Sequence, residues 1–354
     1  MKTTTSEAVD GYLSLSIKAD ATDVSAGIAY LIAKCAGENG VNPHDALDLE
    51  FAVRAKVGAD YLQAYLDHNL PLFLASKAIG LEKLQTILEP RLTSTVESVQ
   101  KDQAIAFTVS VLLKPQFELS SYDPVTIDIP PITVSESEID DQMLMLAETF
   151  ASMEDAGTDQ SSQTNRIIPA ITDIWIEQNI PGASTVPELR EMLKKNAIQF
   201  KQSEQTEFIA YSAASELAKR LQGDISEDIF EFTKNDLLSA LERNLEVQGR
   251  SLAEFIEAQG GEQVFTQQML FQTDEVLRQG FALDALARHF DIQLTAADLD
   301  DAFTRMAPGH EEIARSDFQA TGRMYVMEEA ALRIKTNLWL VEQAEINYLS
   351  SPTE

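Results

Sequence analysis

The chain has 354 residues, above the roughly 100–200 of one typical domain, which sets an expectation of two or three domains. It is 44% hydrophobic and 24% charged, with 57 Asp and Glu against 27 Lys and Arg, a net charge of −30. Such a composition excludes wholesale disorder, and the charge repels phosphate backbones and anionic lipid headgroups, so neither DNA nor a membrane surface is an expected partner.

In chain order, Leu13, Leu15 and Ile17 alternate in Tyr12–Lys18 and predict a short strand. Val24–Lys34 and Asp48–Leu66 carry apolar residues at helical spacing, with a turn at Gly40-Val41-Asn42-Pro43 between them. Ile105, Phe107, Val109, Val111 and Leu113 predict a stronger strand ended by Pro115, and Val125, Ile127 and Ile129 alternate once more before Pro130-Pro131. The first 130 residues thus read as a small α+β unit.

Beyond Ile132 the β signal fades. Ser135-Glu136-Ser137-Glu138 is a capping box that starts a helix, whose Ile139, Met143, Leu146, Phe150 and Met153 form the seam of a helix that pairs with another. Gly157–Asn165 has no apolar residue and reads as a linker. A second capping box at Thr185–Glu188 opens a helix expected to run to Gly223, with Leu189, Met192, Leu193, Phe200, Phe208 and Tyr211 along it. Further helices are predicted over Glu227–Gln248, Ser251–Gln259, Gln263–His289 and Ala296–Met306. A last one of about 28 residues starts at Asp317, with Met324, Met327, Ala331, Ile334, Leu338 and Val341 on one face.

Chemistry-bearing motifs are scarce. Cys35 lies between Ala33 and Ala36 in an apolar helix and reads as core, without a Gly-x-Ser-x-Gly elbow or a nearby base. His310-Glu311-Glu312 lacks the second histidine of a metalloprotease helix, and Gly260-Gly261 is not followed by the Lys-Ser/Thr of a phosphate loop. The acidic runs Glu136–Asp141 and Asp298–Asp301 sit where helices begin, where the macrodipole favours anions, and lack the glycine of a calcium loop. The expectation is therefore no enzyme activity, no metal and no cofactor. What remains is apolar seam on acidic helices, with methionines suited to adaptable binding or to ordinary core.

The order of segments resembles trigger factor, the bacterial nascent-chain chaperone family. The resemblance rests on Pro115–Leu119, Tyr122–Ile127 and Val134–Met153, then on Pro187–Asn196, on Phe281–Asp300 and on Trp339–Ile346. It implies a small N-terminal α+β domain (1–115), a connector with an arm helix and polar linker (116–165), and an extended helical C-terminal domain (166–354). It also implies an ATP-independent holdase that shelters unfolded or nascent polypeptides in a cavity lined by helical arms. Two departures qualify this. The family's ribosome-docking loop is basic, whereas Gly37–Glu50 has no Lys or Arg and carries Glu38, Asp45, Asp48 and Glu50, which puts stable ribosome docking in doubt. The family's prolyl isomerase domain of about a hundred residues has only the short linker in its place, too little chain for such a fold, so isomerase activity is not expected. A start without a signal-peptide pattern sets the expectation of a cytoplasmic protein. The competing reading is a dedicated assembly protein for one folded partner, and whether two chains dimerise stays open. Expected client contacts are Met143, Phe150, Met153, Phe271, Met324, Tyr325 and Met327.

Overall fold

The computed structural model describes residues 1–42, 48–94, 96, 98–155 and 170–349, with 151–155 by backbone alone. The linker at 157–165 and the Met153 side chain lie outside the described residues. Contacts divide the chain into two compact units, one of Met1–Tyr122 with Leu217–Trp339 and the other of Asp123–Glu216 with Leu340–Glu354. The architecture is α+β, a small sheet near the N-terminus followed by a mainly helical remainder.

In the first unit β1 (Lys2–Thr5), β2 (Tyr12–Ala19), β3 (Arg91–Leu92) and β4 (Ile105–Leu112) form an antiparallel sheet in the order β1-β2-β4-β3. The alternation seen in the sequence sets the register: Leu13 opposes Val111, Leu15 opposes Val109 and Ile17 opposes Phe107. This row points at α1 (Ala21–Glu38), α2 (Leu49–Val57) and α3 (Ala59–Leu81), whose Val24, Leu31, Val53, Leu70 and Leu74 complete one core with the sheet. Cys35 is buried there. Asp20 caps α1 by accepting the Thr22 and Asp23 backbone N–H groups. The expected helix over Asp48–Leu66 is instead two, parted at Gly58, where φ is +93° and a helical backbone cannot continue.

The same unit takes in β5 (Glu118–Leu119), which pairs with β7 (Leu221–Gln222), and the helices α7 (Glu227–Val247), α8 (Leu252–Ala258), α9 (Glu262–His289), α10 (Ala296–Met306) and α11 (Glu311–Ala320), together with α12 (Met324–Gln343) up to Trp339. Phe281–Ala287 of α9 is buried on every side, and the Phe281 ring meets that of Phe117 at a tilt of 55° with centroids 4.8 Å apart. The last predicted helix is likewise two. The chain turns at Thr321-Gly322-Arg323 because the Gly322 backbone (φ +71°) lies against α3, so closely that a methyl group on Gly322 would sit 2.7 Å from the Lys77 Cα.

The second unit holds β6 (Thr126–Ile129), α4 (Glu136–Asp155), α5 (Asp173–Asn179), α6 (Val186–Ala218) up to Glu216, and β8 (Glu345–Tyr348). The predicted box at Ser135 forms: the Glu138 carboxylate accepts the Ser135 N–H at 2.7 Å, and the Ser135 hydroxyl accepts the Glu138 N–H at 3.2 Å. Helix α6 stops at Ala218, short of the expected Gly223, since Leu221–Gln222 pair with β5. Glu345 and Ile346, expected to close the final helix, belong instead to β8, parallel to β6.

Candidate functional site

Among the described residues no cluster of three His, Cys, Asp or Glu could hold a metal ion, and no helix is long and apolar enough to cross a membrane. The features that invite a function are apolar surfaces on long helices.

The clearest lies on α6. Leu189, Leu193, Phe200, Phe208 and Tyr211 recur at three- and four-residue steps or their sums and form one stripe along the helix. At 33 residues α6 is about 50 Å long, whereas the 20 residues of α4 span about 30 Å. The first third of the stripe is covered: Leu189 is buried with Ile176 and Ile180 of the α5 region, and Met143, Leu146, Phe150 and Trp175 pack against that cluster. Phe150 meets Trp175 edge to face at 5.2 Å. Ion pairs hold α4 on α6, Arg190 to Glu136 (2.6 Å) and Asp140 (2.5 Å), and Lys201 to Glu138 (2.6 Å). Further along, among the described residues, the stripe is more open, and Phe200, Phe208 and Tyr211 are 65%, 45% and 51% exposed. On α4, Leu144 and Met145 also face solvent.

A second surface lies in the first unit on the N-terminal half of α9. Val264 and Phe271, seven residues apart, share its solvent face, and Phe271 is 68% exposed. Gln267, Gln268, Asp274 and Glu275 flank them. The opposite face carries the buried Met269, Thr273 and Leu277.

Of the seven residues singled out from the sequence, the structure separates six, the Met153 side chain lying outside the described residues. Phe271 is open. Met143 and Phe150 are half-buried contacts of α4 with α5 and α6. Met327 is 4% exposed in a cluster with Ala302, Phe303 and Ala331, against which Met324 packs. Tyr325 packs on the N-terminal core and lines two clefts of about 740 and 450 Å³. The larger cleft has an apolar floor of Ala287, Leu294, Leu299 and Leu332, and at its wall Lys114 bridges Asp284 at 2.7 Å and Glu329 at 3.0 Å. Phe200, Phe208 and Tyr211 were legible only as seam. The signal that sets them apart is length, because a helix of about 50 Å outruns a partner helix of about 30 Å.

Two family models match the chain. Residues 185–342 fit the C-terminus of bacterial trigger factor protein, and residues 50–146 fit bacterial trigger factor protein in a second model. The chain is a divergent member of the trigger factor family. Curated relatives are distant: trigger factor of Bacillus licheniformis is 22% identical over 176 residues, 49% of this chain and 42% of that protein. Trigger factor of Pelotomaculum thermopropionicum is 22% identical over 204 residues, 56% of this chain and 47% of that protein. The chain spans less than half the length of the curated relatives it matches. A solved structure concerned with promiscuous substrate recognition in folding and assembly activities of the trigger factor chaperone covers 97% of this chain and 99% of its own, at 14% identity and a TM-score of 0.37. Membership is carried by the two models, which together account for most of the chain and leave residues 147–184 between them.

Proposed function

We propose that this trigger factor relative is an ATP-independent chaperone, a holdase that binds unfolded or nascent polypeptides on the open apolar faces of its helices and assists their folding. The observation that carries the reading is the α6 stripe, buried at Leu189 but exposed at Phe200, Phe208 and Tyr211. Monomeric proteins seldom leave contiguous apolar surface open unless something binds it. Fully burying one such side chain contributes about 1.5–3 kcal/mol, so one contact is weak and several together hold a client reversibly. The charge of −30 fits the task, since it keeps a sticky surface dispersed.

Two further elements belong to the reading. The protein acts without prolyl isomerase chemistry, both family models being those of the N- and C-terminal regions. It also works without stable ribosome docking. Glu38 closes α1, the Asp48 carboxylate caps α2 by accepting the Phe51 N–H, and Glu50 pairs with Arg54 at 2.7 Å, which leaves an acidic approach for a phosphate backbone. A cytoplasmic location belongs to the same reading.

The test dilutes a chemically denatured protein into increasing amounts of the full chain without nucleotide and follows light scattering. Suppression near equimolar ratio is expected, and weaker suppression by Phe200→Ser with Phe208→Ser while circular dichroism stays unchanged. No suppression at large excess refutes the holdase reading and favours the dedicated assembly protein, which a stoichiometric pull-down partner identifies.

A further inference from the structure

The β6–β8 pair is a two-stranded parallel sheet, an uncommon object because parallel strands are usually buried within larger sheets. The Glu345 N–H donates to the Val125 carbonyl at 2.8 Å and the Leu349 N–H to the Ile129 carbonyl at 2.9 Å. In a parallel ladder alternate residues turn both backbone groups to the same neighbour, so Glu345, Asn347 and Leu349 face β6. Ile346 and Tyr348 therefore direct their N–H and C=O groups outward, and among the described residues no third strand lies beside them. The strand is short and carries Glu345, but Glu345–Leu349 contains no lysine, no proline and no bulge. The side chains continue the pattern. Ile346 and Tyr348 stand opposite the buried Ile127 and Ile129, on the same sheet face, and Tyr348 is 71% exposed.

We propose that the outer edge of β8 is a polypeptide-binding site that takes an extended segment as a third strand, with apolar residues at every second position beside Ile346 and Tyr348. Backbone pairing reads no sequence, and the alternating apolar row supplies the selection. The choice of an unfolded segment as occupant rests on the chaperone reading. A second copy of this chain is disfavoured by charge, because two chains of −30 repel and Glu342, Glu345 and Asp128 crowd the strand with carboxylates. The same carboxylates favour a segment flanked by lysine or arginine.

The experiment uses the full chain and a fluorescent peptide of alternating Val and Thr with Lys at its ends, long enough to make a strand of the usual ~5–6 residues. A second peptide of the same sequence is N-methylated at alternate residues, which keeps every side chain and removes the hydrogen bonds of one edge. Anisotropy is expected to show the unmodified peptide binding about tenfold tighter or more, given roughly 1 kcal/mol for each of two lost bonds. In Tyr348→Pro the missing N–H is one that points outward, so β6–β8 pairing persists and the preference disappears, whereas Tyr348→Thr keeps it. Equal binding of the two peptides, or a preference unchanged in Tyr348→Pro, overturns the proposal, as does a concentration-dependent dimer abolished by Tyr348→Pro, which assigns the edge to a second copy. Light scattering on the same preparations separates the two readings. Suppression without peptide preference removes the edge site alone, and preference without suppression removes the holdase reading and leaves the edge site standing.

Discussion

Replacing Gly322 by alanine isolates the close approach that seats the α11–α12 turn on α3. Two costs add. At φ +71° an L residue occupies the left-handed region at about 1–2 kcal/mol. The new methyl would also lie 2.7 Å from the Lys77 Cα and 3.2 Å from the Ser76 carbonyl oxygen, about 1 Å inside the ~3.5–4 Å preferred between carbons. Both neighbours are backbone atoms of α3, which cannot swing aside as a side chain can, so the turn and the helix must part at a further ~1–3 kcal/mol. A methyl on Gly80 would in turn strike the Gly322 carbonyl, so the contact is tight from both sides. Gly309 supplies the control. Its φ is +79° and nothing lies within 4 Å of an added methyl, so Gly309→Ala carries only the conformational cost. Urea unfolding followed by circular dichroism should place Gly322→Ala below Gly309→Ala by about 1–3 kcal/mol. Variants that agree within ~0.5 kcal/mol would refute the argument that backbone contact, and not the turn conformation alone, demands the glycine at 322.

Lys114, Asp284, Glu329 and Arg333 form a two-plus, two-minus network in which Arg333 also reaches Asp284 at 2.7 Å and Glu329 at 2.9 Å. Lys114→Met leaves the nearly buried Asp284 with one cation instead of two and should cost about 2–3 kcal/mol, below the usual 3–5 for a broken buried pair because Arg333 remains. Adding Asp284→Leu should recover part of the loss in a urea double-mutant cycle, and strict additivity would argue against coupling. Asp298 accepts hydrogen bonds from Lys335, then from the Thr295 hydroxyl and backbone N–H, and these hold its carboxyl at about 2, below the ordinary 3.8. A depressed carboxylate contributes stability that is present above the unfolded value and lost as pH falls through the folded one, so the gap between wild type and Asp298→Asn should narrow between pH ~4 and ~2. A gap in urea midpoint that stays constant over that window would count against this account.

What the sequence disclosed and what it concealed differ in the range of the interaction responsible. The boxes at Ser135–Glu138 and Thr295–Asp298 are formed by residues three apart, and both were legible as helix starts. The β2 and β4 strands were legible because one face of each is buried, which imposes alternation. In contrast, Glu345–Tyr348 is a strand only because β6 lies beside it, more than two hundred residues away along the chain, with the Asn347 amide donating to Asp128 at 3.1 Å. Its four residues carry too little periodicity to outweigh the helix running into them. The break at Gly322 is likewise dictated by α3 and not by the sequence around it. The candidate site was half legible for a similar reason. Met327 and Phe200 both sit at helical seam positions, but Phe303 and Ala331 bury the first, whereas the second is left 65% exposed. Periodicity identifies an apolar face without saying what lies against it.

The coexistence of an open aromatic stripe with a charge of −30 makes a final prediction about salt. Apolar surface of this kind on an ordinary protein promotes self-association, and here repulsion between like-charged chains opposes it. Repulsion is screened by salt, the Debye length falling from about 10 Å at 0.1 M to about 3 Å at 1 M, whereas apolar burial is not screened. Raising sodium chloride from 0.1 to 1 M should therefore convert a monodisperse chain into reversible oligomers in sedimentation velocity. Phe200→Ser with Phe208→Ser should stay monomeric at both concentrations. If wild type and variant associate alike, the contact lies elsewhere than α6. If neither associates, the stripe does not drive self-association even when repulsion is screened, and the acidic charge has some other purpose. Oligomers confined to the wild type at high salt would tie the two most distinctive features of the sequence together, with the carboxylates keeping free the same surface that the aromatic rings offer to a partner.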